Sequence, residues 1–223
     1  MKKEIVIVKL GGSRVVKQKI DVVFIKRFKE LLESFLFKHR FVVVCGGGQV
    51  CRTYQAAARV LEVISNQDLD MIGIKATELN AELIRAVFGE LAYPKVINNY
   101  HSAQRFNDVI VASGSEPGHS TDYCAAMFAR RYKSKILINI TDVPYIYDSD
   151  PKLNPEAKPL DKINVKGYLK IIGNEFQPGM NVPFDPLAAK AIHKFLQVVN
   201  VATIEDIEAY LKGENFHGTI LHR

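Results

Sequence analysis

The sequence predicts an α/β fold built on a mostly parallel sheet covered on both faces. Strand-like and helix-like patterns alternate from end to end, as parallel strands require, because each must be followed by a crossover. Three β-rich runs each end in a glycine cluster that feeds a helical pattern. Ile5-Val6-Ile7-Val8 leads into Lys9-Leu10-Gly11-Gly12-Ser13, and Phe41-Val42-Val43-Val44 leads into Gly46-Gly47-Gly48. Val109-Ile110-Val111 leads into Ser113-Gly114-Ser115-Glu116-Pro117-Gly118-His119-Ser120-Thr121-Asp122. Glycine lacks Cβ, so peptide N–H groups can close on an anion, and a helix start adds partial positive charge. Three such turns in one small domain predict a site that holds several phosphates at once.

The elements follow in order. After the first strand, apolar Phe24, Phe28, Leu31, Leu32 and Phe35 recur at helical spacing from about Ile20 to Lys38, with Lys26, Lys29, Glu30 and Glu33 facing away. A further helix is predicted from about Met71 to Phe88, with Leu79, Leu83 and Val87 inward. Another starts after Thr121-Asp122 and precedes a strand at Ile136-Leu137-Ile138. Asp185-Pro186 is a cap and first-turn pair, with Leu187, Ala188, Ala191, Ile192 and Phe195 as the buried stripe. A strand near Val198–Val201, a helix from Ile204 to Leu211 and a strand near Gly218–Leu221 complete the chain. The Pro- and Lys-rich stretch from Asp150 to Asp161 is predicted to be an exposed excursion. No composition shift marks two independent domains, so residues 1–223 are expected to form one domain of two lobes sharing a sheet. The boundary falls near residues 130–131.

A chain of 223 residues with 48% hydrophobic content can bury one sizeable core. No apolar run approaches the roughly 20 residues of a membrane span, and Glu4 and Lys9 break the N-terminal stretch in a way that suits a strand, not a signal peptide. Three cysteines, Cys45, Cys51 and Cys124, lie near apolar elements and predict buried thiols in a reducing cytoplasm. The net charge of +6 is scattered over Lys26/Arg27/Lys29, Arg130/Arg131/Lys133 and Lys158/Lys162/Lys166. No nucleic-acid-binding signature accompanies it, so the expectation is solvated faces and a cleft that attracts anionic substrates rather than a nucleic acid.

Familiar phosphate and catalytic motifs are missing: no G-x-x-x-x-G-K-[ST], no G-x-G-x-x-G after the first strand, and no G-x-S-x-G. The six histidines lack paired metal-ligand spacing. What remains is Lys9, two residues before a glycine pair at a strand end, able to project over an anion held by the Gly11–Ser13 backbone. Asp70, Gly73, Thr77 and Asn80 share one helical stripe of small or polar groups that suits a ligand edge, although Asp70 also suits a helix cap. Asp122 either interacts with the free N–H groups of its helix start or orients Lys9 and a metal-bound nucleotide.

On these residues, the chain resembles the amino acid kinase superfamily and, within it, the archaeal-type uridylate kinases. The resemblance spans essentially the full length. Its carriers are Lys9–Ser13, Gly46–Gly48 with Arg52, and Asp70–Ile74 with Thr77 and Asn80. They continue through Glu116–Asp122, Thr141 with Tyr147 and Asp150-Pro151, and Asp185-Pro186-Leu187-Ala188-Ala189-Lys190. The short glycine turns are common to the superfamily. The P-G-H-[ST]-T-D run and D-P-L-A-A-K are more specific to the uridylate branch.

The resemblance implies a three-layer αβα sandwich that transfers the γ-phosphoryl group of ATP to UMP with Mg²⁺, assembled as a hexamer built from dimers. It implies Lys9 and Asp122 as catalytic residues, the latter an organiser. Gly47 and Asp70 would contact UMP, with Ser115, Glu116, Pro117, Gly118, His119, Ser120 and Thr121 around its phosphate and uracil. Lys9, Gly12, Ser13, Gly48 and Arg52 would surround the ATP phosphates, and Thr141, Asp142, Tyr147 and Asp150 the adenosine end. The metal would be held mainly by nucleotide phosphates. Relatives commonly read T-N-V-D-G-V-Y where this chain has Thr141-Asp142-Val143-Pro144-Tyr145-Ile146-Tyr147. Proline fixes φ near −65°, and the residue tolerant of positive φ is gone, so this turn must take another shape. Two alternatives accompany this expectation: another small-molecule kinase of the superfamily, or a member that binds a nucleotide or oxyanion without catalysis.

Overall fold

The computed structural model describes residues 3–63, 65–102, 104–151, 153–175 and 182–223. The elements run β1 Glu4–Leu10, α1 Gly12–Val15, α2 Val22–Ser34, β2 His39–Cys45, α3 Gly48–Val60, α4 Asn66–Phe88, β3 Val109–Ala112, α5 Thr121–Tyr132 and β4 Ile136–Ile140. They continue with β5 Ile146–Tyr147, β6 Pro159–Leu160, β7 Lys162–Asn164, α6 Val165–Ile172, α7 Pro186–Ala191, β8 Gln197–Val201, α8 Ile204–Lys212 and β9 Gly218–His222. Seven strands form one sheet in the order β3-β2-β1-β4-β8-β9-β7, and β5 pairs with β6 separately. Among the described residues, the hydrogen-bonded strand pairs of the large sheet are parallel except β8–β9, which is antiparallel.

Alternating side chains of the same strands feed two cores. Val6, Val8, Phe41, Val43, Val109, Val111, Ile138 and Val199 pack on one face with Phe28 and Leu32 of α2, Ile84 of α4 and Ile207 of α8. Ile7, Val42, Ile110, Leu137 and Val198 pack on the other with Ala125 and Phe128 of α5, Tyr168 of α6 and Ala188 of α7. Strands buried on both sides must read as continuous apolar runs, and these do. β1 leads by crossovers to β2 and β3 on one side, while β4 and β8 continue on the other. The strand order therefore reverses between β1 and β4, and the crevice outside the carboxyl ends of such strands is where open α/β sheets bind ligands.

Several sequence expectations need correction. Leu79 is 64% exposed and not inward. Helix α4 instead buries Gly73, Ile74, Thr77, Asn80, Ala81 and Ile84, so its small and polar stripe faces the protein and Leu79 points outward. Helix α7 stops at Ala191, Leu187 is partly exposed, and Phe195 lies beyond the helix in the open. Helix α2 begins only after Asp21, whose carboxylate accepts from the Phe24 N–H, and ends at Ser34. The strands β5–β7 and helix α6 lie in and beside the stretch expected as an excursion; its described residues between Asp150 and Asp161 are mostly exposed. Cys45 and Cys124 are buried and free, while Cys51 is half-buried.

His39 is 3% exposed, between the rings of Phe35 and Phe41, and neither of its ring nitrogens has a partner. Burial, aided by Lys38 and opposed by Glu4, holds its pKa below 6.5. A neutral buried imidazole binds fewer protons than the unfolded one. Stability is therefore expected to fall as pH drops below about 6.5 and on through the lowered folded value. His39→Phe should blunt that loss and gain on the order of 1 kcal/mol at neutral pH, as read by urea unfolding at several pH values.

Candidate active site

The first two glycine turns interlock. A Cβ on Gly12 would lie 2.0 Å from the Gly48 nitrogen and 2.6 Å from the Gly46 oxygen, and Gly48 holds φ at +60°. The turn after β1 is pinned to both neighbouring strands, by Gly11 N–H donating to Ile140 O at 3.0 Å and Gly46 N–H donating to Leu10 O at 2.9 Å. Only bare backbone permits this approach, and it leaves the start of α1 and the start of α3 side by side at the strand ends.

Lys9 is the penultimate residue of β1, and its Nζ lies 2.8 Å from Asp122 Oδ1 at the start of α5, with both side chains nearly buried. Asp122 Oδ2 accepts the Asp185 N–H at 3.1 Å. Asp185 caps α7 by accepting the Ala188 N–H at 2.9 Å, and it also accepts from the Ser120 hydroxyl. Burial, then the neighbouring Asp122 charge, raise the Asp185 pKa. The carboxylate of Asp122 is thus fixed by a lysine from β1 and a backbone donor from α7, which suits orientation rather than proton uptake.

Helix α4 holds the other loops. Asn80 Nδ2 donates to Gly46 O at 2.8 Å and Gly47 O at 3.1 Å, and Thr77 Oγ1 accepts the Gly114 N–H at 2.8 Å. Asp70 accepts the Gly118 N–H at 2.8 Å. The stripe expected at a ligand edge therefore acts mainly as a scaffold, with Asp70 alone half-exposed at its end. Tyr100 braces the loop from beneath, donating to Glu116 Oε1 at 2.8 Å, with its oxygen 3.2 Å from His119 Nδ1. Ser115 and Thr121 are half-buried, and Glu116, Pro117 and Gly118 are exposed at its surface.

On the β4 side, a cavity of about 460 Å³ is lined by Thr141, Tyr145, Tyr147, Asp150, Ile172 and Pro183 among others. Asp142 does not line it. Its carboxylate sits 3.6 Å from both Arg14 Nη1 and Lys17 Nζ. Burial would raise its pKa, but the Ser13 hydrogen bond and the Lys17 and Arg14 charges hold it below the ordinary value. Arg52 stands exposed one turn into α3, bonded to Gln49 Oε1 at 3.2 Å. Among the described residues no cluster of three or more His, Cys, Asp or Glu could cage a metal. The carboxylates of Asp122 and Asp142 are already ion-paired. Mg²⁺ keeps several waters and needs few protein ligands, so single, separated carboxylates do not oppose it.

Sequence reasoning passed over Asn139 and Asn200. Each sits inside an otherwise apolar strand, and they pair across β4 and β8 in register with Lys9 on β1. An amide at the same alternation position of two buried strands is the signal that was available. Asn139 Nδ2 donates to Asn200 Oδ1 and to Pro183 O, each at 2.7 Å.

The amino acid kinase family model matches residues 4–201 of the chain. The chain belongs to the amino acid kinase family. Among its relatives, the uridylate kinase of Thermococcus kodakarensis is 38% identical over 190 residues, covering 83% of this chain and 84% of that one. The uridylate kinase of Methanobrevibacter smithii is 33% identical over 214 residues, 94% of each chain. The crystal structure of uridylate kinase from Archaeoglobus fulgidus superimposes with a TM-score of 0.83 at 33% identity, covering 98% of this chain and 99% of that one.

Proposed function

We propose that this chain is a UMP kinase that transfers the γ-phosphoryl group of ATP to UMP, giving UDP and ADP. The observation that carries this reading is the Lys9 ammonium at the strand-order reversal, held by Asp122 at the end of the third glycine-bearing loop, with the interlocked Gly12 and Gly48 turns at the same strand ends. The kinship with archaeal uridylate kinases supports it and disfavours a non-catalytic binder.

The chemistry brings two polyanions together. A phosphate monoester has a second pKa near ~6, so the UMP phosphate is already largely dianionic at neutral pH and needs no general base. Lys9 neutralises charge on the group in flight, and the N–H groups around Gly11–Ser13 and Gly46–Gly48 supply rigid donors. Asp122 fixes the ammonium in line between the two substrates and takes no proton. Bound Mg²⁺ would add charge neutralisation on the donor phosphates. ATP takes the side of Ser13, Arg52 and the Thr141–Tyr147 cavity, and UMP takes the side of Asp70 and the Ser115–Thr121 loop. The cations Arg14, Lys17 and Arg52 at this end of the sheet suit anionic substrates and require no nucleic-acid partner.

Exposed apolar Tyr54, Met71 and Leu79 on α3 and α4, beside the outward Val60 and Leu61, support self-association, with a hexamer expected from kinship. Light scattering checks the subunit count. Among the described residues no helix is long and apolar enough to cross a membrane, and the free buried thiols suit a cytoplasmic setting.

A coupled assay of ADP release with UMP, CMP, dUMP and isopentenyl phosphate, using ATP or GTP, tests the proposal. Turnover that requires UMP is expected. Turnover only with another acceptor would make the chain a different kinase of the family, and none at all would leave a binding protein. Asp70→Asn is expected to raise the KM for UMP roughly tenfold, because a charged acceptor near the ribose and Gly118 becomes neutral. A change confined to the KM for ATP would overturn the placement of Asp70.

A further inference from the structure

The loop from Thr141 to Tyr147 leaves β4 without any residue at positive φ. What shapes it is Asn200: its Nδ2 donates to Val143 O and to Pro144 O, at 2.9 Å each. The amide is 1% exposed and is itself held by Asn139. One strand further along the same register, Thr219 Oγ1 accepts the Ile146 N–H at 2.8 Å and donates to Leu160 O. Lys9, Asn139, Asn200 and Thr219 therefore form one polar row across the sheet. The row begins at Lys9 and ends beneath this loop.

So pinned at Val143, Pro144 and Ile146, the loop directs Tyr145 into the 460 Å³ cavity beside Tyr147, with the two rings edge to face at 6.5 Å and 73°. Tyr145 stands where the family pattern has glycine, which has no side chain to offer. An aromatic wall in a half-open cavity of this size matches a flat heterocycle, and base-on-ring stacking is strong without reading exocyclic groups.

We propose that Tyr145, positioned by Asn200, supplies the stacking face for the purine of the donor nucleotide, with Tyr147 set against the purine's edge, replacing a glycine turn with an aromatic one. The proposal rests on the donor-side placement of this cavity given above. Tyr145 touches the ligand, whereas Asn200 acts only through the loop.

Calorimetric titration of ATP and of GTP without acceptor, together with KM values in the coupled assay, tests it. Tyr145→Ala is expected to weaken both purine nucleotides by the same factor, roughly tenfold, with the KM for UMP unchanged and kcat within about twofold. Tyr145→Phe keeps the ring and should restore donor binding to within about twofold. Asn200→Ala should raise the donor KM in the same direction while leaving the KM for UMP alone. If that variant does not fold by circular dichroism, the half-exposed Tyr145 variants still decide. Unchanged ATP affinity in Tyr145→Ala overturns the proposal, as does a loss for one purine only or a shift in the KM for UMP. A wild-type protein that binds no ATP at all would instead overturn the donor-side reading.

Discussion

Lys9→Ala is expected to lower UMP-dependent turnover by at least 10²–10³ while the protein remains folded. Removal of one preorganised donor from a developing charge typically costs that much, and here the donor carries a full charge in a nearly dry site. Folding should survive because Asp122 keeps its bond from the Asp185 N–H and some solvent contact, although a lowered melting temperature is expected from the unpaired carboxylate. Adding Asp122→Asn to Lys9→Ala should cost little more in rate, since the carboxylate acts through the ammonium. Steady-state kinetics with circular dichroism on the three variants checks this. Near wild-type turnover for Lys9→Ala would remove it from the reaction.

The second large effect is steric. Gly12→Ala places a carbon 2.0 Å from the Gly48 nitrogen and 2.5 Å from its Cα. Both are backbone atoms that no rotamer change can clear, so the two turns must part. A loss of about 3 kcal/mol or more is expected in urea unfolding, with turnover falling even where the protein is folded, because the donor N–H groups of both turns shift together. Gly89 provides the contrast. It has φ of +57° and ψ of −127°, a conformation that favours glycine, but nothing within 4 Å of an added Cβ, so Gly89→Ala should cost about 1–3 kcal/mol from backbone strain alone and leave the kinetics unchanged.

Much of this was legible in the chain because burial on two faces leaves a strong pattern. Continuous Val and Ile runs followed by glycine mark β1, β2 and β3, and Asp185-Pro186 marks the start of α7 by capping. The facing of α4 was not legible in the same way. Its Leu79 looks like core by type, yet Thr77 and Asn80 win the interior because they satisfy loop N–H and C=O groups that water cannot reach there. Orphaned backbone groups outweigh one leucine. The link from Asp185 to Asp122 joins positions 63 apart, and the Asn139–Asn200 pair joins positions 61 apart. Spacing along a chain does not carry such pairs. Only the parallel register does.

The bond from the Asp185 N–H to Asp122 has a consequence for biogenesis. The carboxylate that orients the ammonium of an early strand obtains its second anchor 63 positions further along the chain. Long-range closure of this kind is slow and comes late. A nascent chain that has emerged only as far as α5 would carry its glycine turns and its Lys9–Asp122 pair and yet lack this anchor, so the pair is held at both ends only after α7 has been made.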